Sequence, residues 1–325
     1  MTTVAVLGTG AHVPERVVPN NEAGAGAGVD GSWILRKTAI RERRWAAPDE
    51  ATSDLATAAA RAALDSAGIT ADQLSVIVVA TSTPDRPQPP TAAYVQHRLG
   101  ARDAAAFDLN AVCSGAVFAL ATAEAALARS GGCALVVGAD VYSRILDPAD
   151  RRTVVLFGDG AGAMVLGPAR RGGGIRHCAL HTFGELADLI QVPAGGSRRS
   201  CDAEALAAGL HYFAMDGRAV REFVAGRLPQ LVKQFLHDAA VSPGDVRHVV
   251  PHQANGVLLD QLVAELGLPR AETHRTLTHY GNTGAASIPI TLDTAARAGA
   301  FRPGELILLA GFGGGMAAGL ALIEW

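Results

Sequence analysis

The chain has 325 residues, of which 49 % are hydrophobic, and its formal net charge is −3 at pH 7. This length and apolar content predict a tightly packed soluble protein of about two domains, and they exclude an intrinsically disordered chain. The nearly neutral charge gives no argument for a nucleic acid or an anionic membrane as a partner.

The sequence also predicts a cytoplasmic protein without a membrane span. Its first apolar run begins at Val4 and has no basic region before it, which is not typical of a signal peptide. The four cysteines show no paired spacing, so a reducing compartment is the simplest setting. The longest apolar stretch, residues 116–128, contains Glu124 and is shorter than the ~18 residues of a membrane span.

A pattern in the first half of the chain recurs in the second half. Residues 67–79 have the pattern of a helix end, a turn and a buried strand, and residues 239–251 repeat this order. We therefore predict two pseudo-symmetric α/β halves, with residues 1–171 in the N-terminal half and residues 172–325 in the C-terminal half. Three glycines at 172–174 would link the halves.

A second pair of segments extends this repeat. Cys113-Ser-Gly-Ala opens a helix that leads to an apolar strand, and Asn282-Thr-Gly-Ala does the same in the second half. In this alignment Asn282 lies opposite Cys113, and His252 lies opposite Ala80. Because ligands collect at the carboxyl ends of parallel strands, the two halves would bring Cys113, His252 and Asn282 to one cleft. Residues 193–209 are a candidate cap over it.

Cys113 is predicted to be a reactive nucleophile. It follows an apolar segment and precedes a small residue, Gly115 and a long helical pattern, which is typical of a tight strand-to-helix corner. The free N–H groups and the positive end of the helix dipole favour a thiolate there. The alternative is a buried structural thiol, the commoner fate of a cysteine, and this interpretation fits Cys133 inside its apolar strand.

Other chemistries find less support in the sequence. The motif His177-Cys178-x-x-His181 matches no strong ligand spacing and contains no carboxylate, so no metal is predicted. The glycine-rich segments lack the spacing of a dinucleotide-binding turn, so no cofactor is predicted. Residues 158–162 favour close packing between elements. Residues 313–315 follow a buried strand, and their N–H groups could face a developing oxyanion.

Taken together, these segments resemble the β-ketoacyl-acyl carrier protein synthase III family of the thiolase superfamily. The resemblance covers nearly the whole chain and implies an α/β protein with a thiolase-like five-layered αβαβα fold, a homodimer and no cofactor. The motifs that carry it, in the family's order, are Ser32-Trp33-Ile34, Ile40-Arg41-Glu42-Arg43, the Cys113 corner, Phe157–Gly162, Pro251–Asn255, Gly281–Gly284 and Gly311–Gly315.

The resemblance also implies a two-stage reaction. Cys113 would take an acyl group from an acyl-coenzyme A donor, with the oxyanion held by the backbone N–H groups of Cys113 and Gly314. A malonyl thioester, on a carrier protein or coenzyme A, would then enter. His252 and Asn282 would hydrogen-bond its carbonyl oxygen, so that loss of carbon dioxide leaves a stabilised enolate. The enolate would attack the acyl-cysteine and give a β-ketoacyl product.

The resemblance also assigns residues to substrate binding: Trp33, Lys37, Arg151, Met215, Asn255 and Phe312. Of these, Trp33 and Arg151 would line the coenzyme A entrance. Two departures from the family pattern affect substrate binding. The first is Lys37, where an arginine is usual. The second is Gln88 or Pro89, which stands where a phenylalanine usually reaches into the partner's acyl pocket, and it predicts a wider or more polar pocket.

A third departure concerns the acceptor. Val257, Glu265 and Glu222 stand where family members that use acidic carrier proteins usually have basic residues. This predicts a different carrier, a coenzyme A thioester or a small-molecule acceptor, in fatty-acid initiation or in polyketide starter-unit biosynthesis. Two alternatives remain open: an acyltransferase that moves the acyl group to an alcohol, an amine or a carrier without decarboxylation, and a non-catalytic binding subunit. Asn282 argues against the first, because simple transfer needs no enolate clamp.

Overall fold

A computed structural model describes residues 3–169 and 173–325. The predicted boundary between the halves, at residues 171 and 172, lies outside the described residues. The described chain contains two five-stranded sheets, one from each half, and two short two-stranded pairs. Apolar runs rich in valine, isoleucine and leucine form the central strands, which helices cover on both faces.

The first sheet has the strand order β1-β7-β6-β4-β5. Its strands and the neighbouring short pair are β1 Val4–His12, β2 Val17–Pro19, β3 Glu42–Arg44, β4 Leu74–Ala80, β5 Ala105–Leu109, β6 Cys133–Asp140 and β7 Gly160–Pro168. The helices of this half are α1 Asn20–Ala25, α2 Gly31–Thr38, α3 Thr52–Ala67, α4 Thr91–Leu99 and α5 Gly115–Ser130.

The second sheet has the order β12-β11-β13-β14-β8. The strands of this half are β8 Gly174–Thr182, β9 Ile190–Gln191, β10 Ala214–Met215, β11 Val246–Pro251, β12 Glu272–Thr273, β13 Leu306–Gly313 and β14 Ala317–Glu324. Its helices are α6 Ala203–Ala207, α7 Gly217–Asp238, α8 Gly256–Glu265, α9 Leu277–Tyr280 and α10 Ser287–Arg297.

The two sheets have the same topology. In the first sheet, β4 is parallel to β5 and β6, and β7 is antiparallel to β6 and β1. In the second sheet, β11 is parallel to β12 and β13, and β14 is antiparallel to β13 and β8. The register shifts directly after Leu74 in β4 and directly after Val246 in β11, and Ala80 and His252 each lie six residues beyond these positions. The predicted equivalence of His252 and Ala80 is therefore confirmed.

The other predicted equivalence is shifted by three residues. A 3-10 turn at Val112–Ser114 precedes α5, and the matching turn before α10 is Gly284–Ala286. The central residue of the second turn, Ala285, therefore lies opposite Cys113, and Asn282 lies three residues earlier. The two turns contact each other, and an ideal Cβ on Gly115 would lie 3.4 Å from the Cβ of Ala285. The repeat still brings both corners to one seam.

The helices and sheets form five layers. α3 and α4 pack on the outer face of the first sheet, and α7 and α8 cover the second. α5 and α10 lie between the sheets, and each contacts strands of both. This arrangement confirms the thiolase-like αβαβα fold that the sequence motifs implied.

The central helix α5 differs in one respect from the sequence prediction. Residues 112–130 are long and apolar enough to cross a membrane by length and composition, although the sequence predicted that no stretch would be. In this fold the helix has a sheet on either side, and Val117, Leu120 and Leu127 lie in the core. Small residues such as Ala116 and Ala123 let both sheets approach closely. Its apolar character is therefore explained by core packing.

Candidate active site

Cys113 lies at the corner that the sequence predicted. β5 ends at Leu109, the 3-10 turn spans Val112–Ser114, and α5 begins at Gly115. Val112 has a φ of 47°, a left-handed conformation that a β-branched residue rarely adopts, and its N–H donates to the Asn110 side chain at 3.1 Å. This strained corner aims the Cys113 side chain into the seam between the halves, where the residue is only 6 % exposed.

The surroundings of the Cys113 sulfur differ from the expected thiolate-favouring helix start. Burial raises the pKa of the thiol to about 12, and the nearby Asp140 carboxylate adds to this increase. Hydrogen bonds from the N–H groups of Gly314 and Cys113, and from the Tyr142 hydroxyl, act in the opposite direction. Desolvation outweighs these donors, so the free protein carries a neutral thiol.

The same two N–H groups are the ones predicted to form an oxyanion hole. Those of Gly314 and Cys113 both point at the sulfur, to which the carbonyl carbon of an acyl group would be attached. The loop can come this close because residue 313 is a glycine: a Cβ there would lie 2.6 Å from the Cβ of Cys113 and 3.1 Å from its sulfur. The Gly311–Gly315 segment thus serves as the bare backbone turn that its sequence suggested.

His252 is buried, and its tautomer is set by one neighbour. Its Nδ1 lies 2.7 Å from Ser287 Oγ, and that oxygen also accepts the Gln253 N–H at 3.4 Å. The hydroxyl needs an acceptor for its own proton, and Nδ1 is the acceptor that lies within reach; with the proton directed there, Nε2–H is the donor of the ring. Burial lowers the pKa of His252 to about 3, so the imidazole is neutral at physiological pH. Phe312 packs against the ring with the centroids 5.2 Å apart.

Asn282 is held so that its amide nitrogen stays available. Its Oδ1 accepts the Gly284 N–H at 3.0 Å, which leaves Nδ2 as the outward-facing group. Its backbone N–H donates to Leu156, and its carbonyl accepts from Gly158, both within 3.0 Å. His252 and Asn282 are thus two neutral N–H donors with their acceptor atoms already occupied.

A continuous series of contacts joins the three predicted catalytic residues. On one side Cys113 hydrogen-bonds Tyr142, which stacks on Phe157 at 4.4 Å between ring centroids, and Phe157 pairs with Asn282 in an isolated bridge. On the other side Cys113 lies against Gly313, the residue after Phe312, which packs on His252. These contacts connect Cys113 with Asn282 and with His252 through one or two intermediate residues each.

Asp140 and Tyr142 belong to the candidate site, and the sequence reasoning missed them. The fully buried Asp140 carboxylate accepts the Ala285 N–H at 2.8 Å and the Ser82 N–H at 2.8 Å, as well as the hydroxyls of Thr81, Ser82 and Thr83. Burial nevertheless raises the pKa of Asp140 to about 6. Asp140 thus ties the end of β6 to the turn that follows Asn282. One signal was available: Asp140 ends a buried strand and Tyr142 follows it, as His252 follows β11.

A pocket of about 290 Å³ leads from the surface to Asn282. It is lined by most of the residues that were predicted to bind substrate: Trp33, Lys37, Arg151, Met215 and Asn255. The Arg151 guanidinium lies 6.0 Å from the Trp33 ring centroid, within reach of a cation–π contact. The pocket is therefore lined by aromatic and cationic side chains.

Two of the predicted substrate-binding residues have structural roles. Phe312 is not in the pocket lining and instead supports the His252 ring. Asn255 caps α8 by accepting the N–H groups of Val257 and Leu258, and its amide donates to the Lys37 carbonyl at 3.2 Å. Its polar atoms therefore join two walls of the pocket.

The mouth of the pocket carries more positive charge than the sequence reading suggested. Lys37, Arg151, Arg152 and Arg221 line it together with the half-exposed Val257. Neither Lys37 nor Arg151 has an acidic side chain within 4.0 Å among the described residues. Glu222, by contrast, pairs with Arg218 at 3.0 Å. The free cations suit an anionic group such as a phosphate.

The segment at 193–209 does not line this pocket, so the predicted cap is not seen there. The chain that follows it does reach the site. The Phe213 N–H donates to Ile145 at 2.7 Å, and Met215 lines the pocket. Gln88 and Pro89 are exposed in the single chain and lie outside this pocket.

The other sequence motifs have structural roles. Ideal Cβ atoms on Gly158 and Gly162 would lie within 2.5 Å of backbone atoms, which confirms close packing. The motif from His177 to His181 is not among the side-chain clusters that could hold a metal in the described part of the chain.

Comparisons with known proteins agree with this site. Residues 107–184 match the family model 3-oxoacyl-[acyl-carrier-protein (ACP)] synthase III, and residues 236–325 match its C-terminal counterpart. The chain is 42 % identical to β-ketoacyl-[acyl-carrier-protein] synthase III of Symbiobacterium thermophilum, over 99 % of this chain and 98 % of that protein. The chain belongs to the 3-oxoacyl-acyl-carrier-protein synthase III family.

Two further relatives refine this placement. The acetoacetyl CoA synthase NphT7 of Streptomyces sp. (strain CL190) is 70 % identical, over 98 % of both chains. The crystal structure of the priming β-ketosynthase from the R1128 polyketide biosynthetic pathway superposes with a TM-score of 0.92 at 33 % identity, over 99 % of this chain and 96 % of that one. This synthase III family member is a condensing enzyme that forms a β-ketoacyl product by decarboxylation.

Proposed function

We propose that this synthase III family member condenses acetyl-CoA with malonyl-CoA to give acetoacetyl-CoA, carbon dioxide and free coenzyme A. The observations that carry the proposal are two neutral donors, His252 Nε2–H and Asn282 Nδ2–H, and a cysteine sulfur that accepts the N–H groups of Cys113 and Gly314. The choice of substrates is supported by the relative at 70 % identity, which is named an acetoacetyl CoA synthase.

In the first stage the Cys113 sulfur attacks the thioester carbonyl of acetyl-CoA. A new carbon–sulfur bond forms, the bond to coenzyme A breaks, and the thiol proton leaves with the coenzyme A sulfur. The N–H groups of Cys113 and Gly314 stabilise the oxyanion on the way. Because the resting thiol is neutral, the helix start and the oxyanion donors act on the sulfur as it loses its proton.

In the second stage malonyl-CoA loses carbon dioxide, and the electron pair of the broken carbon–carbon bond forms an enolate. His252 and Asn282 hydrogen-bond the enolate oxygen, and losing such a donor costs about 2.7–4 kcal/mol. The enolate carbon then attacks the acetyl carbonyl, the bond to Cys113 breaks, and the sulfur takes a proton from solvent. No step requires either donor to change its charge.

The aromatic side chains beside Cys113 support a short acyl group. Tyr142 hydrogen-bonds the sulfur and contacts both Phe157 and Phe213, whose ring centroids lie 4.4 and 5.7 Å from its own. All three residues are buried. The sequence predicted a wider or more polar acyl pocket; Tyr142 supplies a polar group, but it occupies the space that a long chain would need.

The mouth of the pocket supports coenzyme A as the carrier of both substrates. Lys37 and Arg151 can meet its phosphates, and Trp33 offers an aromatic face. Val257, Glu222 and Glu265 would give an acidic carrier protein little charge complementarity. We propose that the enzyme acts on these soluble thioesters in the cytoplasm.

We also propose a homodimer formed through the edge of the first sheet. β5 is the edge strand, and it exposes Phe107, an unusual feature for an unpartnered strand. The exposed segment with Gln88 and Pro89 lies between β4 and β5, so pairing of two β5 strands would bring it near the partner. Light scattering should give the mass of two chains, and Phe107→Lys should shift the measured mass toward that of one chain.

The function is tested by intact-mass measurement followed by turnover. Wild type incubated with acetyl-CoA should gain one acetyl group; Cys113→Ala should gain none, and Cys201→Ala, which changes an exposed cysteine, should gain one. Added malonyl-CoA should discharge the adduct with release of carbon dioxide. An adduct that survives Cys113→Ala contradicts the proposal.

The choice of acceptor needs its own comparison. Malonyl-CoA and malonyl groups on carrier protein are offered to the same acetylated enzyme, and malonyl-CoA should give the higher kcat/KM. Faster turnover with the carrier would overturn the acceptor while leaving condensation intact. Discharge only by alcohols or amines, without carbon dioxide, would indicate simple acyl transfer.

A further inference from the structure

A cluster of metal-ligating side chains lies outside the active site, at the edge of the second sheet. His248 is on β11, and Glu272 is its partner on the parallel strand β12. His274 follows β12, and its N–H donates to the Val249 carbonyl at 3.0 Å. One ligand atom from each of His248, Glu272 and His274 lies within 4.8 Å of the others.

The nitrogen atoms of the two histidines face each other. His248 Nδ1 lies 3.0 Å from His274 Nε2, and His248 Nε2 lies 3.0 Å from a Glu305 carboxylate oxygen. That oxygen also accepts the Arg302 N–H at 2.8 Å. Glu305 is therefore a carboxylate that fixes the proton of His248 on Nε2, so Nδ1 presents a lone pair.

We propose that His248 Nδ1, His274 Nε2 and the Glu272 carboxylate bind a divalent transition-metal ion of the zinc class. Two imidazoles and a carboxylate are a zinc ligand set, and a hydrogen bond from the second ring nitrogen to a carboxylate is the usual outer support of a metal-bound histidine. Glu305 provides that support to His248. Water would complete the coordination.

Binding requires the three ligand atoms to converge. Two nitrogens bound tetrahedrally at about 2.0–2.1 Å lie about 3.3 Å apart, so the imidazoles need to separate by ~0.3 Å and to turn their lone pairs toward the ion. The exposed Glu272 carboxylate, whose oxygen lies within 4.8 Å of the two nitrogens, would have to move closer. When the ion binds, His274 loses the proton on Nε2 that lies between the two rings. His274 then carries a proton on Nδ1 instead. Both rings remain neutral, so binding to the neutral pair releases no net proton.

The surroundings favour a defined site with one open side. Phe301 packs edge-on against both imidazoles, with centroids 4.9 Å from His248 and 5.1 Å from His274. The two histidines are buried, whereas Glu272 is exposed. The aromatic wall holds the rings in place, and the ion can enter from the side of Glu272.

The ion would stabilise the segment that leads to the active site. The His274 carbonyl accepts from the Gln253 side chain at 3.3 Å, and Gln253 also accepts the N–H groups of Thr276 and Leu277. Gln253 follows His252 directly. By fixing His274, the ion would therefore also stabilise this connection, but the ion itself would take no part in the chemistry.

The test is direct metal binding by the full chain. Equilibrium dialysis against zinc chloride, with metal analysis, should give one ion per chain and a higher unfolding temperature. Glu272→Gln and His274→Gln should each weaken binding at least 10-fold, because loss of even an outer-shell partner of a metal ligand typically costs about 10- to 100-fold in affinity. Glu265→Gln and His237→Gln change exposed residues elsewhere and should bind as wild type does.

Cobalt(II) distinguishes this site from the cysteines. Bound at His248, His274 and Glu272, it should show visible d–d bands without a near-ultraviolet thiolate band, and Cys113→Ala should leave the spectrum unchanged. A thiolate band, full binding by the Glu272→Gln/His274→Gln double variant, or no stoichiometric binding by wild type would each overturn the proposal. Because the readout is the metal, a failure of the proposed condensation leaves this test unaffected.

Discussion

Ser287 Oγ lies 2.7 Å from His252 Nδ1, and this hydroxyl decides which nitrogen of the buried imidazole carries the proton. The Gln253 N–H reaches the same oxygen at 3.4 Å, so the serine proton is directed at the ring. Burial keeps His252 neutral by lowering its pKa to about 3. The donor that the enolate needs therefore depends on a residue at the first turn of α10.

Ser287→Ala should impair condensation more than acylation. Without the hydroxyl, His252 Nδ1 loses its partner and the ring can hold its proton on either nitrogen, so fewer molecules present Nε2–H. We expect kcat for condensation to fall about 10- to 100-fold, less than for removal of a whole donor. The burst of acetyl-enzyme, measured by intact mass, should keep its rate.

Thr294→Ala is the matched control for this variant. Thr294 lies on the same helix and its hydroxyl donates to the Ile290 carbonyl at 2.8 Å, away from His252. It should leave both stages unchanged. If Ser287→Ala condensed at the wild-type rate, the tautomer would not be set by this contact.

Sequence reasoning could predict candidate catalytic residues because each of them follows a recognisable local pattern. Cys113 is preceded by a strand and followed by glycine and a helix, and His252 follows a buried strand. The alignment of Asn282 with Cys113 failed by three residues, because it matched the similar letters Ser-Gly-Ala and Thr-Gly-Ala. The 3-10 turn that begins at Gly284 needed the structure to be seen.

The protonation state of the site was beyond sequence reasoning. Ser287 is 35 positions from His252, and Tyr142 and Asp140 come from a different strand end than Cys113. The expected thiolate rested on the helix start alone. Burial depends on what packs over the sulfur, and desolvation outweighs that local effect.

Alkylation of Cys113 should therefore rise steadily with pH. With the pKa of the thiol raised to about 12, the thiolate fraction grows tenfold per pH unit and has no plateau between pH 7 and 10. Iodoacetamide kinetics, followed by peptide mapping of Cys113, measure this. A cysteine peptide under the same conditions should level off near pH 8.5 to 9.5. A plateau for Cys113 below pH 8 would instead support a thiolate at rest.

Acid should destabilise the protein through His252. Its folded pKa of about 3 lies below the unfolded value of ~6.5, so the stabilisation is fully present above pH 6.5 and is lost as the pH falls toward 3. Between pH 6.5 and pH 3, the difference in unfolding free energy between wild type and His252→Gln should shrink by up to about 1.4 kcal/mol per pH unit. Urea unfolding at a series of pH values measures it.

Comparing variants removes the opposing effect of Asp140. Burial raises the pKa of that carboxyl to about 6, so it favours the folded state as the pH falls through 6. Asp140 is present in both proteins, and its effect cancels in the difference. His252→Asn should give the same slope as His252→Gln. A gap that is constant between pH 6.5 and 4 would show that His252 titrates normally.

Tyr142→Leu should widen the range of acyl donors. Tyr142 lies between the Cys113 sulfur and the rings of Phe157 and Phe213, and the smaller leucine leaves room beside the sulfur. Wild type should form the acetyl adduct much faster than the hexanoyl adduct, and the variant should reduce this ratio at least 10-fold. Tyr142→Phe keeps the ring and should retain the wild-type preference. Competition between the two thioesters, read by intact mass, gives the ratio, and hexanoyl transfer by wild type at the acetyl rate would contradict the assignment.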